Sequence, residues 1–472
     1  MLERLRAAGQ EHLADAIDRL SGTARARLEA EVAAVDLDLM SRLVGEMSGD
    51  ARDGLGEIAP PAPDTLVPIP YDDAGLARDD AARAAGEALL TDGGVAAVLL
   101  AGGQGTRLGF DGPKGLYPFA PITGRTLFAH HAAKIAALRA RYGCALPWYV
   151  LTSPQNDGVT RAAFEEAGWF GLDPASVRLV VQGTLPAVDR ETGLILLDQP
   201  DRLALSPDGH GGLLSALRAS GALDEMAVAG IRTIFTFQVD NPLARVCRPE
   251  LLGHHFSAAA DMSSVVVRKV GPEEKMGVIA TVDGSPGVVE YSDLPDELAE
   301  ERDTDGELVY WAGSIAVHCI DVAFVQRLTE GGLKLPYHQA LKKVPYVDEA
   351  GRRIEPDAPN AVKFETFLFD ALPSAARTVT VEAAREDEFS PIKNADGSDS
   401  PATARRDLNR LYARWFESVG VVVPRGADGE PAFDLEIDPR RALGPEDLHG
   451  TLRPDFDIHG PTVLGPPEAA AG

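Results

Sequence analysis

The stretch that decides the fold reads Val95-Ala-Ala-Val-Leu-Leu-Ala-Gly-Gly-Gln-Gly-Thr-Arg-Leu-Gly109. Its first six residues form a short apolar run, which is typical of a parallel strand buried on both faces. Four glycines follow within eight positions, at 102, 103, 105 and 109. Because glycine has no side chain to block close approach, such a loop lets backbone N–H groups point at an anion. The pattern therefore predicts a core strand that ends in a phosphate-binding loop.

Two cations accompany this loop. Arg107 lies within it, and Lys114 follows in the segment Phe110-Asp-Gly-Pro-Lys-Gly. A guanidinium group can bind two phosphate oxygens at once, whereas an ammonium group acts as a compact charge. The two common nucleotide-binding patterns do not fit, because Leu108 stands where G-x-G-x-x-G needs its third glycine and no Gly-Lys-Ser/Thr follows. An ordinary glycine turn is the alternative, and the ordered Arg, Thr, Pro and Lys make it the weaker one.

Apolar runs alternate with helical stretches from the first core strand to about residue 320. The sequence predicts strands at 95–100, 147–152, 178–182, 231–239, 263–269, 277–282 and 313–320, and helices at 126–142, 159–168 and 212–219. This order predicts an α/β fold with a mostly parallel, Rossmann-like central sheet that binds ligands at the carboxyl ends of its strands. We expect an N-terminal helical region at 1–90, a central domain at 91–400 and a small C-terminal α/β domain at 401–472. No motif falls beyond about residue 420, so the tail is expected to be dispensable for catalysis.

Composition excludes several classes of protein. The net charge of −27 argues against a nucleic-acid partner, because phosphate backbones need a basic surface. No run of about eighteen apolar residues occurs, so no membrane partner is expected and we predict a cytoplasmic protein. Three scattered cysteines give neither a disulfide framework nor a zinc site. Only nine of the 45 basic residues are lysines, which marks each lysine as a place where a point charge is needed.

A second glycine-rich segment, Ser206-Pro-Asp-Gly-His-Gly-Gly212, precedes a predicted helix. Free N–H groups at a helix start suit a ribose or phosphate ligand. His210 is either a ligand contact or a turn residue, and its place at the helix start favours ligand contact.

Two further segments carry charges in suggestive places. The predicted strand that includes Phe235 ends in Asp240, and a carboxylate at a strand end beside a phosphate loop suits Mg²⁺. A simple Asp-Asn turn is the alternative. Lys393 lies in the acidic segment Arg385-Glu-Asp-Glu-Phe-Ser-Pro-Ile-Lys-Asn394. That lysine is either reserved for an anionic ligand or part of a solvated loop.

Taken together, these segments resemble the eukaryotic-type UDP-sugar pyrophosphorylase family, and within it most closely the UDP-N-acetylhexosamine branch. The likeness runs from about residue 95 to 410. It includes LAGGQGTRLG, PKG, QGTLPA from Gln182, PDGHGG, VDN, VVEYS, KKVPYVD, the run from Lys363 to Asp370, and REDEFSPIKNAD. The resemblance implies a nucleotidyltransferase of GT-A-like fold. Its substrates would be UTP and a sugar 1-phosphate, its metal Mg²⁺, and its products a UDP-sugar and pyrophosphate.

The resemblance also implies roles for individual residues. UTP would be held by Leu100, Ala101, Gly102, Gly103, Lys114, Gln182, Gly209 and Asp240. The sugar phosphate would face His210, Gly277, Glu290, Ser314, Phe367, Phe369 and Lys393, with Lys363 near the nucleotide phosphates. Arg107 and Lys114 would stabilise the departing pyrophosphate, Lys393 would orient the incoming phosphate, and Asp240 would hold Mg²⁺. The alternatives are a broader UDP-sugar pyrophosphorylase, a glycosyltransferase that uses a nucleotide sugar, and a non-catalytic binding protein.

Two departures from the hexosamine branch fall near the expected sugar site. The chain has Trp311-Ala-Gly-Ser314 where that branch usually has Asn-Ala-Gly-Asn, and it has His210 where the branch has asparagine. The hydrogen bonds available to an acetamido group therefore differ, and we expect weaker selectivity for an N-acetyl sugar.

Overall fold

The computed structural model describes residues 1–47, 56–348 and 350–467. Contacts between residues divide the chain into two compact units. The described residues of unit 1 lie within Met1–Gly56, Gln182–Ala216 and Gly331–Ala371, and those of unit 2 lie within Glu57–Val181, Leu217–Glu330 and Leu372–Gly472. The three regions expected from the sequence stay a prediction, and each unit is described by itself.

Unit 2 is built on a large, mostly parallel sheet. In spatial order its strands are Leu66–Val67, Thr378–Glu382, Met262–Arg268, Ala312–Asp321, Thr233–Gln238, Val95–Leu100, Trp148–Thr152 and Val177–Val181. Strand Ala312–Asp321 runs antiparallel to both of its neighbours, and the remaining neighbours pair in parallel. Beside strand Ala312–Asp321, the sheet is extended by three short strands, Ile58–Ala59, Val278–Val282 and Ser285–Val289. The predicted fold class is confirmed.

The predicted elements of the central region all have counterparts, with ends that agree to within two residues. The described helices are Leu2–Ala7, Glu11–Arg19, Gly22–Ala34, Leu37–Glu46, Asp73–Thr91, Leu127–Tyr142, Asp157–Glu166, Gly212–Ala219, Ala222–Val228, Pro249–Ser257, Asp296–Ala299, Val322–Thr329, Arg385–Glu388 and Pro401–Ser418. Short 3₁₀ turns lie at Pro63–Thr65, Thr106–Leu108, Lys114–Leu116, Gly168–Gly171, Pro174–Ser176, Leu368–Ser374 and Pro445–Leu448. Among the described residues, no helix has both the length and the apolar character that crossing a membrane requires.

The C-terminal tail belongs to the main core of unit 2. Leu435, Ile437 and Leu448 are buried in the same apolar cluster as the central strands and Trp148. Strands Leu435–Ile437 and Thr462–Leu464 pair in parallel. That the tail is dispensable for catalysis stays a prediction, against which these contacts argue, because removal of the tail would expose part of the core that supports the sheet.

Unit 1 contains the four N-terminal helices and several short strands. Its strands are Thr184–Pro186, Val188–Asp189, Leu197–Gln199, Arg202–Leu203, Leu205–Pro207, His338–Lys342, Tyr346–Val347, Arg353–Ile354 and Ala361–Glu365. Leu5, Leu13 and Ile17 of the helices pack with Val362 and Phe364 in one apolar cluster. The four helices between Leu2 and Glu46 fall within the N-terminal helical region expected from the sequence, and they pack against strands of unit 1.

Candidate active site

The glycine loop leaves the end of strand Val95–Leu100 and folds back on the segment that carries Lys114. The N–H of Gly105 donates to the Gly112 carbonyl at 2.8 Å, and the Lys114 N–H donates to the Gly103 carbonyl at 3.1 Å. Apart from chain neighbours, no atom of the described residues lies within 4 Å of a Cβ built on Gly103. Among the described residues, the N–H of Gly103 also has no hydrogen-bond acceptor. The loop is therefore open on the side where a phosphate is predicted to bind.

Lys114 and Asp240 form an ion pair beside this loop. The Lys114 Nζ lies 2.9 Å from an Asp240 carboxylate oxygen, and the two side chains are only 17% and 15% exposed. Asp240 follows strand Thr233–Gln238, which pairs in parallel with Val95–Leu100, so both strands end at the same edge of the sheet. The structure thus brings together the predicted phosphate lysine and the predicted metal carboxylate.

The donor chemistry of this edge suits Mg²⁺ only when phosphates complete the site. Within the ranges that the structure describes, no group of three or more His, Cys, Asp or Glu side chains could hold a metal. Mg²⁺ is commonly held by one or two carboxylates together with substrate phosphates and water, so one carboxylate at Asp240 is compatible with it. The assignment of Asp240 as a magnesium ligand stays a prediction.

A buried lysine that the motif search did not single out supports the turn after Asp240. Lys134 lies on helix Leu127–Tyr142, and its Nζ donates to the carbonyl oxygens of Pro242 and Ala244 at 2.6 and 2.7 Å. The contacts hold the backbone immediately beyond the carboxylate. The scarcity of lysine was the available sequence signal, because it predicted that each lysine serves where a point charge is needed.

Two histidines of the same helix extend this support. The His131 Nε2 lies 3.0 Å from the Val239 carbonyl oxygen, and the His130 Nε2 lies 3.1 Å from that of Pro242. Burial, the largest cause, lowers the pKa of His131 to about 3. The ring is therefore neutral at physiological pH, and a neutral imidazole has one N–H to donate to a carbonyl.

Burial lowers the pKa of Lys134 to about 7, although the Glu388 carboxylate opposes the change. Replacing Lys134 by methionine keeps the length but leaves two buried carbonyls without a donor, which costs about 1–3 kcal/mol for each. Between pH 7 and 10.5 the unfolded wild type retains a proton that the folded protein has lost, so its free energy of unfolding rises with pH. The variant lacks this gain. Its free energy of unfolding, measured with urea, is therefore expected to fall further below that of wild type at pH 9 than at pH 7.

Lys269→Met is a matched control for this variant. Lys269 has the same 9% exposure as Lys134 but donates to one carbonyl, that of Pro272, at 3.1 Å. We expect its replacement to be less destabilising. Equal stability of wild type and Lys134→Met at both pH values would show that the two carbonyl contacts do not hold the turn.

The Lys393 loop is tied to the same strand end. The Ile392 N–H donates to the Asp240 carbonyl at 2.8 Å, and the Ser390 N–H donates to the Asn241 side-chain oxygen at 3.2 Å. These bonds fix the chain next to Lys393. The sequence alternative of a purely solvated loop is thereby weakened, because this segment is anchored to the predicted site.

Arg107 and Lys393 line a common cleft of about 960 Å³. The Lys393 Nζ lies 3.5 Å from an Asp399 carboxylate oxygen and 5.6 Å from the centre of the Phe389 ring. The side chain of Arg107 is exposed. Two of the three predicted catalytic cations therefore face one cavity that is large enough for a phosphorylated sugar.

Three residues predicted to face the sugar form one cluster. The Ser314 N–H donates to the Gly277 carbonyl at 2.9 Å, and a Cβ on Gly277 would lie 3.0 Å from a Glu290 carboxylate oxygen. Trp311 differs from them, because its ring packs under the Arg268 guanidinium at 4.4 Å. The structure therefore joins Ser314 to the predicted sugar cluster and gives the Trp311 ring a packing partner of its own.

Unit 1 holds the other predicted residues, beginning with Gln182 and Gly209. The Gln182 Nε2 donates to the Gly209 carbonyl at 3.3 Å. Gly209 has a φ of 85°, and a Cβ there would overlap the Thr366 carbonyl oxygen. Only glycine fits both this conformation and this approach.

His210, Phe367 and Phe369 form an aromatic cluster. The His210 ring stacks on Phe367 with centres 5.3 Å apart and lies 5.6 Å from Phe369. Its Nδ1 accepts the Leu368 N–H at 3.0 Å. Burial, the largest cause, lowers the pKa of His210 to about 4. The neutral ring therefore carries its hydrogen on Nε2, which makes that atom a donor.

His338 was missed by the sequence analysis. Its ring stacks on Phe367 with centres 4.5 Å apart, and its Nε2 lies 2.8 Å from an Asp370 carboxylate oxygen. No motif marks this histidine, because its place depends on the pairing of strands His338–Lys342 and Ala361–Glu365. Lys363 lies opposite Ala340 in that pairing, and burial lowers its pKa.

The predicted residues thus form two groups, one in each unit. Unit 2 contains Leu100, Ala101, Gly102, Gly103, Arg107, Lys114, Asp240, Gly277, Glu290, Ser314 and Lys393, and unit 1 contains Gln182, Gly209, His210, Lys363, Phe367 and Phe369. A glycine loop, a lysine and a carboxylate at the carboxyl edge of a parallel sheet are the arrangement with which α/β proteins bind nucleotide phosphates.

The chain belongs to the family described as UTP–glucose-1-phosphate uridylyltransferase, which matches residues 53–399. It is 36% identical to UDP-N-acetylhexosamine pyrophosphorylase-like protein 1 of Homo sapiens, over 99% of this chain and 97% of that protein. It is also 36% identical to UDP-N-acetylglucosamine pyrophosphorylase of Saccharomyces cerevisiae, over 71% of this chain and 72% of that protein. The family resemblance drawn from the sequence is confirmed.

Solved structures agree with the fold. The uridine diphosphate N-acetylglucosamine pyrophosphorylase of Trypanosoma brucei, solved with an inhibitor, is 29% identical with a TM-score of 0.80, and the match covers 99% of this chain and 97% of that one. A point mutant of UDP-glucose pyrophosphorylase from Leishmania major is 17% identical with a TM-score of 0.63, over 91% and 87% of the two chains. At that identity the second likeness concerns the fold alone.

Proposed function

We propose that this protein is a uridylyltransferase that joins UTP and a sugar 1-phosphate to give a UDP-sugar and pyrophosphate. The observation that carries the proposal is the Lys114–Asp240 ion pair, at 2.9 Å, beside an open glycine loop at the ends of two parallel strands. Membership of the uridylyltransferase family supports it. Cytoplasmic location and Mg²⁺ dependence stay part of the proposal.

The chemistry needs no protein nucleophile. A phosphate oxygen of the sugar phosphate attacks the α-phosphorus of UTP in line, the new P–O bond forms, and the bond to the β-phosphate breaks with pyrophosphate as leaving group. The protein therefore contributes positioning and charge neutralisation. Lys114 and Arg107 would stabilise the leaving pyrophosphate, and Lys393 would orient the incoming phosphate. Mg²⁺ held by Asp240 would supply further neutralisation of the phosphate charge.

Pyrophosphate release tests this function directly. Purified protein, UTP and Mg²⁺ are combined with N-acetylglucosamine 1-phosphate, glucose 1-phosphate or galactose 1-phosphate, and pyrophosphate and UDP-sugar are measured together. We expect equimolar formation of both products. A glycosyltransferase would instead release UDP from a UDP-sugar, and a non-catalytic protein would bind nucleotide without any turnover.

The sugar is predicted to be N-acetylglucosamine 1-phosphate, but with weak selectivity over the two hexose 1-phosphates. Relatives named for UDP-N-acetylglucosamine support the first part. Ser314 is shorter than asparagine, and His210 offers one donor where a carboxamide offers a donor and an acceptor, so fewer bonds to an acetamido group are available. A pocket that merely has room discriminates only ~10- to 200-fold.

Relative kcat/KM values for the three sugar phosphates measure this selectivity. His210→Asn supplies the control, because it introduces the residue usual in the hexosamine branch and is expected to raise the preference for the N-acetyl sugar. A wild-type preference of several thousand-fold for N-acetylglucosamine 1-phosphate would contradict the prediction and assign the acetamido contacts to other residues.

A further inference from the structure

Asn156 lies where the sheet opens between two strands at the start of the glycine loop. The Ala101 N–H donates to the Leu151 carbonyl at 2.9 Å, which continues the ladder between the loop's own strand and strand Trp148–Thr152. In a parallel pair, a residue that donates to one residue of its neighbour accepts from the residue two positions further on. The next bond of the ladder would therefore run from the Ser153 N–H to the Ala101 carbonyl.

The side-chain amide of Asn156 lies between those two backbone groups. Its Oδ1 accepts the Ser153 N–H at 2.8 Å, and its Nδ2 donates to the Ala101 carbonyl at 2.9 Å. Because one neighbour is a backbone donor and the other a backbone acceptor, only one orientation of the amide satisfies both. Asn156 is fully buried, and its side chain does not cap the helix Asp157–Glu166 that follows it. The amide thus replaces one bond of the ladder and holds the two strand ends apart.

The bond to the Ala101 carbonyl also fixes the direction of the Gly102 N–H. In a trans peptide the C=O and N–H point in opposite directions, so this N–H points away from Asn156. Within residues 1–47, 56–348 and 350–467, no group accepts the Gly102 N–H, and Asn156 is the only donor to the Ala101 carbonyl. The Lys114 N–H holds a different peptide, through the Gly103 carbonyl at 3.1 Å. The peptide between Ala101 and Gly102 therefore depends on Asn156 for its orientation.

We propose that Asn156 is a positioning residue for UTP, because its amide orients the Ala101–Gly102 peptide so that the Gly102 N–H is presented to the nucleotide. The inference rests on the proposed function, since UTP is the nucleotide which that reaction uses. Asn156 is fully buried and acts through the backbone of the glycine loop. It adds to the predicted binding residues a side chain that no glycine or lysine motif marks.

Asn156→Asp keeps the shape of the side chain and changes only the group that faces Ala101. An ionised carboxylate still accepts the Ser153 N–H, but it has no hydrogen for the Ala101 carbonyl and repels it. A protonated carboxyl has one O–H and one free oxygen, so it restores both bonds. Burial and the facing carbonyl raise the pKa of the new carboxyl, because both disfavour its charged form. Acidification is therefore expected to restore the wild-type orientation of the peptide.

Calorimetric Kd values for UTP with Mg²⁺, measured at pH 6 and pH 9, test this expectation. At each pH the Kd of the variant is divided by that of wild type, which removes the titration of UTP itself. We expect the Kd ratio of Asn156→Asp to be ~10- to 100-fold at pH 9, which is typical for the loss of one hydrogen bond to a charged group. At pH 6 the ratio should be smaller by at least ~5-fold.

Two further variants separate positioning from structure. Asn156→Ser has a hydroxyl too short to bridge both backbone groups and does not titrate, so its Kd ratio should be raised equally at both pH values. Asn409→Asp is the matched control, because Asn409 also accepts one backbone N–H, from Leu435 at 2.7 Å, and donates to one backbone carbonyl, that of Phe433 at 3.2 Å. Asn409 holds the C-terminal tail, so its variant should bind UTP within ~2-fold of wild type at both pH values.

Thermal melting at each pH first establishes that the variants are folded. A folded Asn156→Asp protein with the same Kd ratio at both pH values would overturn the inference, as would a folded Asn156→Ser protein that binds UTP like wild type. A matching pH-dependent loss in Asn409→Asp would also overturn it, because general destabilisation would then account for the effect. If Asn156→Asp does not fold, Asn156→Ser alone decides. Wild type that binds UTP but releases no pyrophosphate would defeat the proposed function, whereas the Kd ratios would still decide the role of Asn156.

Discussion

Lys114→Ala is expected to lower kcat for uridylyl transfer by ~100- to 1000-fold, or about 3–4 kcal/mol, which is typical for loss of one preorganised group that stabilises developing charge. The ammonium lies 2.9 Å from Asp240 at the carboxyl edge of the sheet, where the leaving pyrophosphate is proposed to gain negative charge. The effect should fall mainly on kcat, because the interaction strengthens as the bond to the β-phosphate breaks.

Lys114→Met separates the charge from the packing of the side chain. Methionine keeps most of the apolar stem that Lys114 buries at 17% exposure, so a loss caused by charge should be nearly as large in this variant. Thermal melting should show that both proteins are folded. Near-wild-type kcat in either folded variant would refute the role assigned to Lys114.

The glycine loop could be predicted because its signals are local. The apolar run 95–100 indicates a buried strand, and the glycines after it indicate close approach of backbone to a ligand. Asp240 could be predicted on similar grounds, as the carboxylate after another strand. The ion pair between Lys114 and Asp240 could not be predicted, because the two residues are 126 positions apart and meet only through the order of strands in the sheet. Strands that are not consecutive in the chain give no local sign that they are neighbours.

The supporting residues were harder to find. Lys134 owes its function to burial and to partners that lie far along the chain. A lysine on a helix is usually solvated. The backbone carbonyls that face Lys134 are visible only in three dimensions.

The packing of the C-terminal tail could not be predicted from the sequence either. Its apolar residues are separated by prolines and glycines, so they have no helical or strand period that would mark a core face. Leu435, Ile437 and Leu448 are nevertheless buried against the cluster that includes Trp148. The antiparallel direction of strand Ala312–Asp321 could not be predicted either, because an apolar run does not distinguish a parallel from an antiparallel neighbour.

Asp240→Asn is expected to raise the Mg²⁺ concentration needed for half-maximal activity by at least ~10- to 100-fold, which is what the loss of even an outer partner of a metal ligand costs. The amide keeps the shape of the side chain but lacks the negative charge that a hard cation prefers. Activity is titrated with Mg²⁺ at saturating UTP and sugar phosphate, and calorimetry of Mg²⁺ with UTP and protein provides a readout without turnover.

Asp261→Asn is the matched control for this change. Asp261 has the same 15% side-chain exposure as Asp240 and is also ion-paired, with Arg327, but it precedes strand Met262–Arg268 and so lies at the start of that strand. Its Mg²⁺ titration should match that of wild type. If Asp240 serves only to hold Lys114, then Asp240→Asn should lower kcat, as the loss of Lys114 does, and leave the Mg²⁺ titration unaltered. That outcome would place the metal on other oxygens, because removal of a true ligand cannot leave the affinity for the cation unchanged.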